Sequence, residues 1–449
     1  MAILENDTIV AISTPPGRGG IGIVRLSGPA ARAIAEPLLK LRHPLAPAQA
    51  RFAEVIGNSG ETLDEAVVTL FESPHSYTTE DLVEIAAHGS PVLLDYLVRQ
   101  CIAAGARLAE PGEFTQRAFL SGRLDLTQAE AVHDLIEATT LHQARIAAQQ
   151  LGGALSRQIS PIKQQLIALI AALEAGIDFA EDDIDTLPTA QITQQIEAIQ
   201  TPLRTLEQTF AYGKIVRDGF TLAIVGRPNA GKSSLFNRLV QRDRAIVTAT
   251  PGTTRDLVTE RVSLEGIPVE LIDTAGLRHS TDEAEIIGIA KTREAMAEAD
   301  VVLLVLDATA PLHPEDESTI TTLTNRPLII AINKSDLSTN TPLTHHPTIK
   351  TSALTGEGLA VLRTEILSHI TATAPTSETA ILTNLRQQQA VTAALAALTR
   401  ATQAAANAIP HEMLLLDLYE SLNALDALTG STTSDDILNL IFSTFCIGK

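Results

Sequence analysis

The apolar run Thr221-Leu-Ala-Ile-Val225 followed by Gly226-Arg-Pro-Asn-Ala-Gly231-Lys232-Ser233-Ser234 decides the fold of this chain. A short strand-like run stops at a glycine-rich turn, and a helical run follows. The turn matches G-x-x-x-x-G-K-S in the strand-to-helix setting that this motif requires. Its glycines let backbone N–H groups close around a β-phosphate at a helix N-terminus, whose dipole favours anions. Lys232 then neutralises the β- and γ-phosphates, and Ser233 offers its hydroxyl to Mg²⁺. Asn229, Ala230, Gly231 and Ser234 complete the loop residues expected around the phosphates.

Three further segments stand at the ends of apolar runs. Asp273-Thr274-Ala275-Gly276 follows Val269–Ile272. Its aspartate can reach the Mg²⁺ shell, and Gly276 can place an N–H at the γ-phosphate. Asn333-Lys334-Ser335-Asp336 follows Leu328–Ile332. The Asp336 carboxylate accepts two hydrogen bonds from guanine N1 and N2, a pattern adenine cannot offer, and buried groups left unpaired by the wrong base discriminate strongly. Ser352-Ala353-Leu354 fits the loop that supports the base O6. Four elements in this order predict GTP as the ligand. One piece is missing: Leu277 follows Gly276, where many small GTPases carry the glutamine that orients the attacking water. Hydrolysis therefore needs another charge stabiliser and another water-positioning group. Arg255, in Thr250-Pro-Gly-Thr-Thr-Arg-Asp256, and Arg278 are the basic candidates. The acidic ones lie in Asp282-Glu-Ala-Glu285, with Glu285 favoured.

Outward from this site the texture changes on both sides. From Phe220 to about Ile370, apolar runs alternate with helical stretches, including Val301–Leu306, which is the pattern of a mainly parallel sheet with crossover helices. From about Thr127 to Phe210 the chain is rich in Ala, Gln, Leu, Ile and Glu. Ile162, Leu166, Leu169, Ile170 and Leu173 recur there at helical spacing. The acidic stretch Asp178–Asp185 departs from the calcium-loop pattern and reads as a solvated loop. Thr371–Glu378 reads as a linker, and helical texture returns over Gln389–Ala406 and Met413–Leu428. Matching helical flanks imply an α/β domain inserted into one helical domain. The first ~120 residues read as α+β, with strands at Ile21–Leu26 and Ala66–Phe71 and a helix at Val92–Ala104.

The chain has 449 residues, about three domains at roughly 150 residues each. Lys and Arg number 33 against 53 Asp and Glu, giving a net charge of −20. A global cationic surface for nucleic acid is excluded, so any RNA contact is local or brought by a partner. Hydrophobic residues at 45% describe a globular chain, and aromatics at 3% with no Trp argue against broad stacking platforms. Two cysteines exclude a disulfide framework and a cysteine-only zinc site. The first residues lack a basic stretch followed by a long apolar run, and no apolar run is long enough to span a bilayer. A soluble, cytoplasmic protein without a membrane segment is expected.

The combination GRPNAGKSS, TPGTTRD, DTAGLR and NKSD, with the ending Phe445-Cys-Ile-Gly-Lys449, resembles the TrmE-type family of potassium-stimulated P-loop GTPases that modify tRNA. TPPGRGGIGIVRLSG and PGEFTQRAFLSGRLDLTQAEA near the N-terminus resemble it too, so the likeness covers essentially the whole chain. The resemblance implies four segments. Residues 1–121 would be an N-terminal α+β domain for tetrahydrofolate binding and dimerisation, and 122–218 the first part of a helical domain. Residues 219–371 would be the GTPase domain, and 372–449 the second helical part. It places a K⁺ site on Asn229, Thr248, Thr250 and Thr253, within the Thr248–Thr253 loop. In that loop Ala249, Pro251 and Gly252 act through backbone, with Ala249 and Pro251 departing from the family's residues. It also implies Mg²⁺ binding by Ser233 and Thr254, with Asp273 behind them, and assigns Glu285 to orient water, making Glu285, Lys232 and Gly276 the catalytic set. The folate positions match Arg25, Glu84, Arg123 and Lys449, with Cys446 as a possible thiol at that site. Arg123 stands where the family often has lysine, keeping the charge but not the geometry.

By the same resemblance the protein is a homodimer that drives modification of wobble uridine (position 34) in certain tRNAs. It would install an aminomethyl-type group at C5 with 5-formyl- or methylene-tetrahydrofolate. Its partner would be the FAD-dependent protein MnmG in a heterotetramer-type complex. Two rivals are a GTP-regulated ribosome-assembly factor that binds rRNA and a folate enzyme with an accessory G domain. The chain carries no basic appended domain of the kind an rRNA binder would use. Gly17-Arg-Gly-Gly-Ile-Gly22 fits G-x-G-x-x-G but precedes a strand, so it is no dinucleotide fingerprint. The last four residues fit a prenylation box poorly, Cys101 reads as packing, and His345-His346 lacks further ligands.

Overall fold

The computed structural model describes residues 7–178, 187–240, 258–273, 297–323, 326–338, 346–371, 380–407, 409–431, 438 and 441–448. The acidic stretch after Asp178 and the linker after Thr371 lie outside them. The chain separates into two compact units. One holds residues 1–133, 150–163 and 419–449; the other holds 134–149 and 164–418.

The first unit is built on a seven-stranded sheet. Its strands are β1 (Ile9–Ile12), β2 (Gly19–Ser27), β3 (Leu39–Leu41), β4 (Ala50–Ile56), β5 (Thr62–Phe71), β6 (Leu82–Gly89) and β7 (Arg107–Leu108), in the order β3-β4-β5-β6-β2-β1-β7. The expected strands at Ile21–Leu26 and Ala66–Phe71 fall within β2 and β5. Alternate residues of β2, β5 and β6 bury one face: Val24 and Leu26, Val68 and Leu70, Val83 and Ile85. Helices α1 (Ala31–Ala35) and α2 (Pro91–Ala103) pack onto the sheet, and α2 covers the helix expected from Val92. Gly22 explains how closely α2 approaches, because a Cβ there would lie 2.3 Å from a methyl of Leu94. Cys101 is fully buried in this core, as expected, and burial pushes its thiol up to about 12.

Helices α3 (Glu113–Leu120) and α4 (Leu126–Glu137) follow the sheet. Phe442 and Phe445 of the C-terminal segment join Leu126 and Ala129 in a small apolar cluster. Beyond it Ile447 bridges to Pro111, and the Ser13 hydroxyl donates to the Gly448 carbonyl at 3.0 Å. Arg117, 3% exposed, is held by Asp7, Glu80 and Glu113 at 2.6, 3.1 and 2.9 Å. Burial pushes the Glu113 carboxyl up, but the Arg107 and Arg117 guanidinium groups outweigh it and leave it below its ordinary value.

The second unit carries a six-stranded sheet. Its strands are β8 (Phe220–Val225), β9 (Val258–Leu264), β10 (Ile267–Asp273), β11 (Val301–Asp307), β12 (Leu328–Asn333) and β13 (Thr348–Lys350). The order is β13-β12-β11-β8-β10-β9, and every pairing is parallel except the β10–β9 edge. Its inner strands are buried on both faces, which is why they read as unbroken apolar runs. Leu222, Ile224, Leu303 and Val305 meet Leu235, Phe236 and Leu239 of α9 (Lys232–Val240) and Leu362 and Ile366 of α11 (Leu359–Thr371) on one face. Ala223, Val225, Leu304 and Leu306 meet Ile320 of α10 (Pro314–Thr322) on the other.

The chain on either side of this sheet is helical. It forms α5 (Leu141–Leu151), α6 (Ala154–Asp178), α7 (Thr189–Gln208), α8 (Phe210–Asp218), α12 (Leu385–Ala406) and α13 (His411–Thr429). The five apolar residues from Ile162 to Leu173 lie buried on α6. Within the second unit α7, which precedes the sheet, packs along α12, which follows it. Ile196, Ile199 and Leu203 are buried on one helix and Val391, Ala394 and Leu398 on the other. Gln200 donates to Thr399 at 3.3 Å.

Candidate functional site

The phosphate loop begins where β8 ends. Gly226 has φ 144°, and a Cβ there would lie 2.3 Å from the Val305 carbonyl of β11, so only glycine fits the turn. Lys232 opens α9 and is 6% exposed; its Nζ donates to the carbonyls of Gly226 and Arg227 at 2.8 and 2.9 Å. The ammonium therefore lies inside the loop, bound to oxygens that phosphate oxygens can replace. Asn229 is exposed with φ 64°, and Ser233 and Ser234 are exposed in the first turn of the helix. The end of β10 lies alongside, with Asp273 in register with Ile224 of β8.

Asn333, 2% exposed at the end of β12, ties the site together. Its Nδ2 donates to the Ala230 carbonyl and its Oδ1 accepts from the Ala353 N–H, both at 3.0 Å. Gly231 leaves room for this amide, since a Cβ there would lie 2.2 Å from Nδ2. One side chain thus joins the phosphate loop to the Ser352–Leu354 loop. Lys334 has φ 64° and pairs with Asp307 at 2.6 Å, while Asp336 and Leu354 are exposed beyond it. Ser352 is buried and accepts from the Thr355 N–H at 3.1 Å. Sequence reading missed two members of this frame. Asp307 holds Lys334, and Arg238 of α9 donates to the carbonyls of Ala353 and Leu354 at 2.9 and 2.7 Å. No motif marks either, because each acts through a contact distant in sequence.

Thr248, Ala249, Thr250, Pro251, Gly252, Thr253, Thr254, Thr274, Ala275, Gly276 and Glu285 lie outside the described residues, as do Leu277, Arg255, Arg278 and Lys449.

The first unit holds a separate cavity of about 620 Å³, lined by Ser76, Tyr77, Glu84 and Arg123 among others. Arg25 and Glu84 face each other across β2 and β6, their side chains 2.7 Å apart. The Arg25 guanidinium also approaches the Gly448 carbonyl at 3.5 Å and stands 5.8 Å from the Tyr77 ring centroid. The Arg123 guanidinium stands 5.1 Å from the centroid of the same Tyr77 ring. Cys446 is exposed on the tail, two residues before Gly448.

The phosphate loop, the Asn333–Asp336 segment braced against it and the parallel sheet that carries them define a P-loop GTPase. Residues 8–123 match the family described as GTP-binding protein TrmE N-terminus, and residues 126–446 match the MnmE helical domain. The chain is 59% identical over 451 residues to the tRNA modification GTPase MnmE of Koribacter versatilis, covering 99% of each. It is 42% identical to the tRNA modification GTPase MnmE of Aquifex aeolicus, covering 99% of this chain and 100% of that one. Among solved structures, the G domain of the T. maritima FeoB iron transporter is 30% identical over 33% of this chain and 98% of its own, with a TM-score of 0.26. The chain belongs to the MnmE (TrmE) family.

Proposed function

We propose that this protein hydrolyses GTP to drive modification of wobble uridine in certain tRNAs, using a tetrahydrofolate one-carbon donor and an FAD-dependent partner, MnmG. The observation that carries this reading is the presence, in one chain, of a phosphate loop braced by Asn333 and a second cavity that offers Glu84 and Arg123 to a ligand. Loop N–H groups bind the β-phosphate, and Lys232 exchanges its two carbonyl partners for phosphate oxygens. Hydroxyl and carboxylate oxygens suit a hard cation. Ser233 and Thr254, with Asp273 behind them, would hold Mg²⁺, which supplies charge neutralisation across the β- and γ-oxygens. Asn229, Thr248, Thr250 and Thr253 would hold K⁺, which supplies the positive charge of an absent arginine finger. Gly276 donates its N–H to the γ-phosphate, and Glu285 orients the water that Leu277 cannot.

At the other site Glu84 accepts from the ring donors of a pterin, while Arg25, Arg123 and Lys449 meet its formyl or glutamate-tail oxygens. The acidic net charge fits a homodimer in the cytoplasm that leaves most tRNA contact to its partner. The reading divides the chain into folate-binding, helical, GTPase and helical segments at 1–121, 122–218, 219–371 and 372–449. Mass spectrometry of wobble uridine from a strain lacking this protein tests the proposal. Unmodified uridine at position 34 is the expected result; normal tRNA with defective ribosomes would mean an rRNA-binding assembly factor instead.

A further inference from the structure

Arg238 stands on α9 six residues beyond Lys232, about 9 Å further along the helix at a rise of roughly 1.5 Å per residue. Its Nε donates to the Ala353 carbonyl at 2.9 Å and its Nη2 to the Leu354 carbonyl at 2.7 Å. A single bond would tie the loop to the helix. The planar guanidinium fork does more, because it grips two successive peptide planes and fixes how they are turned. In a trans peptide the carbonyl and the following N–H point to opposite sides. Holding the Ala353 carbonyl therefore turns the Leu354 N–H away from Arg238. The neighbouring donors are already spent: the Ala353 N–H on Asn333 Oδ1 at 3.0 Å, and the Thr355 N–H on Ser352 Oγ at 3.1 Å. Of these three successive N–H groups, only that of Leu354 makes no hydrogen bond among the described residues. Leu354 is 75% exposed, so a ligand can approach it.

We infer that Arg238 is a positioning residue for guanine: it fixes the Ala353–Leu354 peptide so that the Leu354 N–H is presented to the base oxygen O6. This rests on the reading of Ser352–Leu354 as the loop that supports O6. If that peptide turned over, a carbonyl would replace the N–H and would suit the 6-amino group of adenine instead. Arg238 opposes that turn without touching the nucleotide. One helix then serves both ends of the ligand, with Lys232 at the phosphates and Arg238 behind the base.

Calorimetric titration of the full-length protein with GDP and with 6-thioguanosine diphosphate tests this, using wild type, Arg238→Met and Arg238→Lys. Each protein is also melted without nucleotide. The thio analogue keeps the N1 and N2 donors that Asp336 reads and replaces only O6, by a sulfur that accepts hydrogen bonds weakly. The wild type should prefer GDP about 3–10-fold, the worth of one neutral hydrogen bond. Arg238→Met keeps the apolar stem and loses both donors, so its preference should fall below about 2-fold through weaker GDP binding. Arg238→Lys, whose ammonium can hold one carbonyl, should keep part of the preference. If Arg238→Met melts too low to titrate, the same comparison in Arg238→Lys decides. A preference equal to that of the wild type in the variants would overturn the inference. That includes the case in which both nucleotides weaken in parallel as the melting temperature falls, which would make Arg238 a brace alone. A wild type that binds the two nucleotides equally would instead overturn the O6 reading of the loop, and the inference with it.

Discussion

Replacing Asn333 by alanine strips the Ala230 carbonyl of its donor and the Ala353 N–H of its acceptor, both at a site where the amide is 2% exposed. Each buried group left unpaired costs about 1–3 kcal/mol, so Asn333→Ala should lose roughly 2–4 kcal/mol in urea denaturation and bind GTP more weakly. Asp336→Asn should behave differently, because Asp336 is exposed and its carboxylate makes no hydrogen bond or ion pair among the described residues. Its stability should be unchanged, GTP affinity should drop about 10–100-fold with the loss of two charge-assisted bonds, and xanthosine triphosphate should compete in a binding titration. The proposed K⁺ site predicts phosphate release several-fold faster in KCl than in NaCl at equal ionic strength, a difference that Asn229→Ala should abolish. Asn333, Lys334 and Asp336 were legible as a group because their chemistry follows from their order along the chain. That the Asn333 amide also ties the phosphate loop to the Ser352–Leu354 loop was not legible. Ala230 and Ala353 become its partners only when β12 lies beside the phosphate loop.

At the scale of elements, the turn Glu265-Gly266 joins β9 to β10, the strand that ends at Asp273. His142 of α5 sits against it, since a Cβ on Gly266 would lie 2.8 Å from the histidine Cβ. The His142 ring shares a hydrogen bond with the Tyr212 hydroxyl of α8 at 3.0 Å. Burial, with Arg145 adding to it, lowers the His142 pKa below its ordinary 6.5. The unfolded chain therefore takes up this proton at a higher pH than the folded one. The contribution to stability is complete above about pH 6.5 and is lost as pH falls towards the lowered folded value. Thermal melts from pH 7.5 to 5.5 should show a decline that is shallower in His142→Gln, which cannot be charged. Equal slopes would remove His142 from the pH response. None of this was readable beforehand. Inner strands β8, β11 and β12 announce themselves as apolar runs because both faces are covered, whereas β9, at the sheet edge, alternates apolar with polar residues and carries no such signal.

Across the whole molecule, the packing of α7 on α12 brings together helices that the α/β sheet separates in sequence. A fragment of residues 217–372 should accordingly fold and bind GTP by itself, while 122–216 without 373–449 should be unstable. Circular dichroism of the two fragments checks this, and a cooperative helical melt of 122–216 alone would count against a shared core. The alternation of textures made the arrangement of an α/β segment between helical flanks readable from the chain. The seven-stranded sheet was only half readable, because four of its strands are completed by partners far away in sequence. The bond from Ser13 to Gly448 spans 435 positions, and Phe442 and Phe445 are needed to cover Leu126. Contacts of such separation form slowly, because a long loop must close before they reward it. As the ribosome delivers the chain from its N-terminus, the first unit emerges early yet waits for its final pieces until nearly everything else has been made. The part of the protein that is synthesised first is thus among the last to be finished. During that interval its uncovered apolar surface is the stretch on which a chaperone has most reason to act.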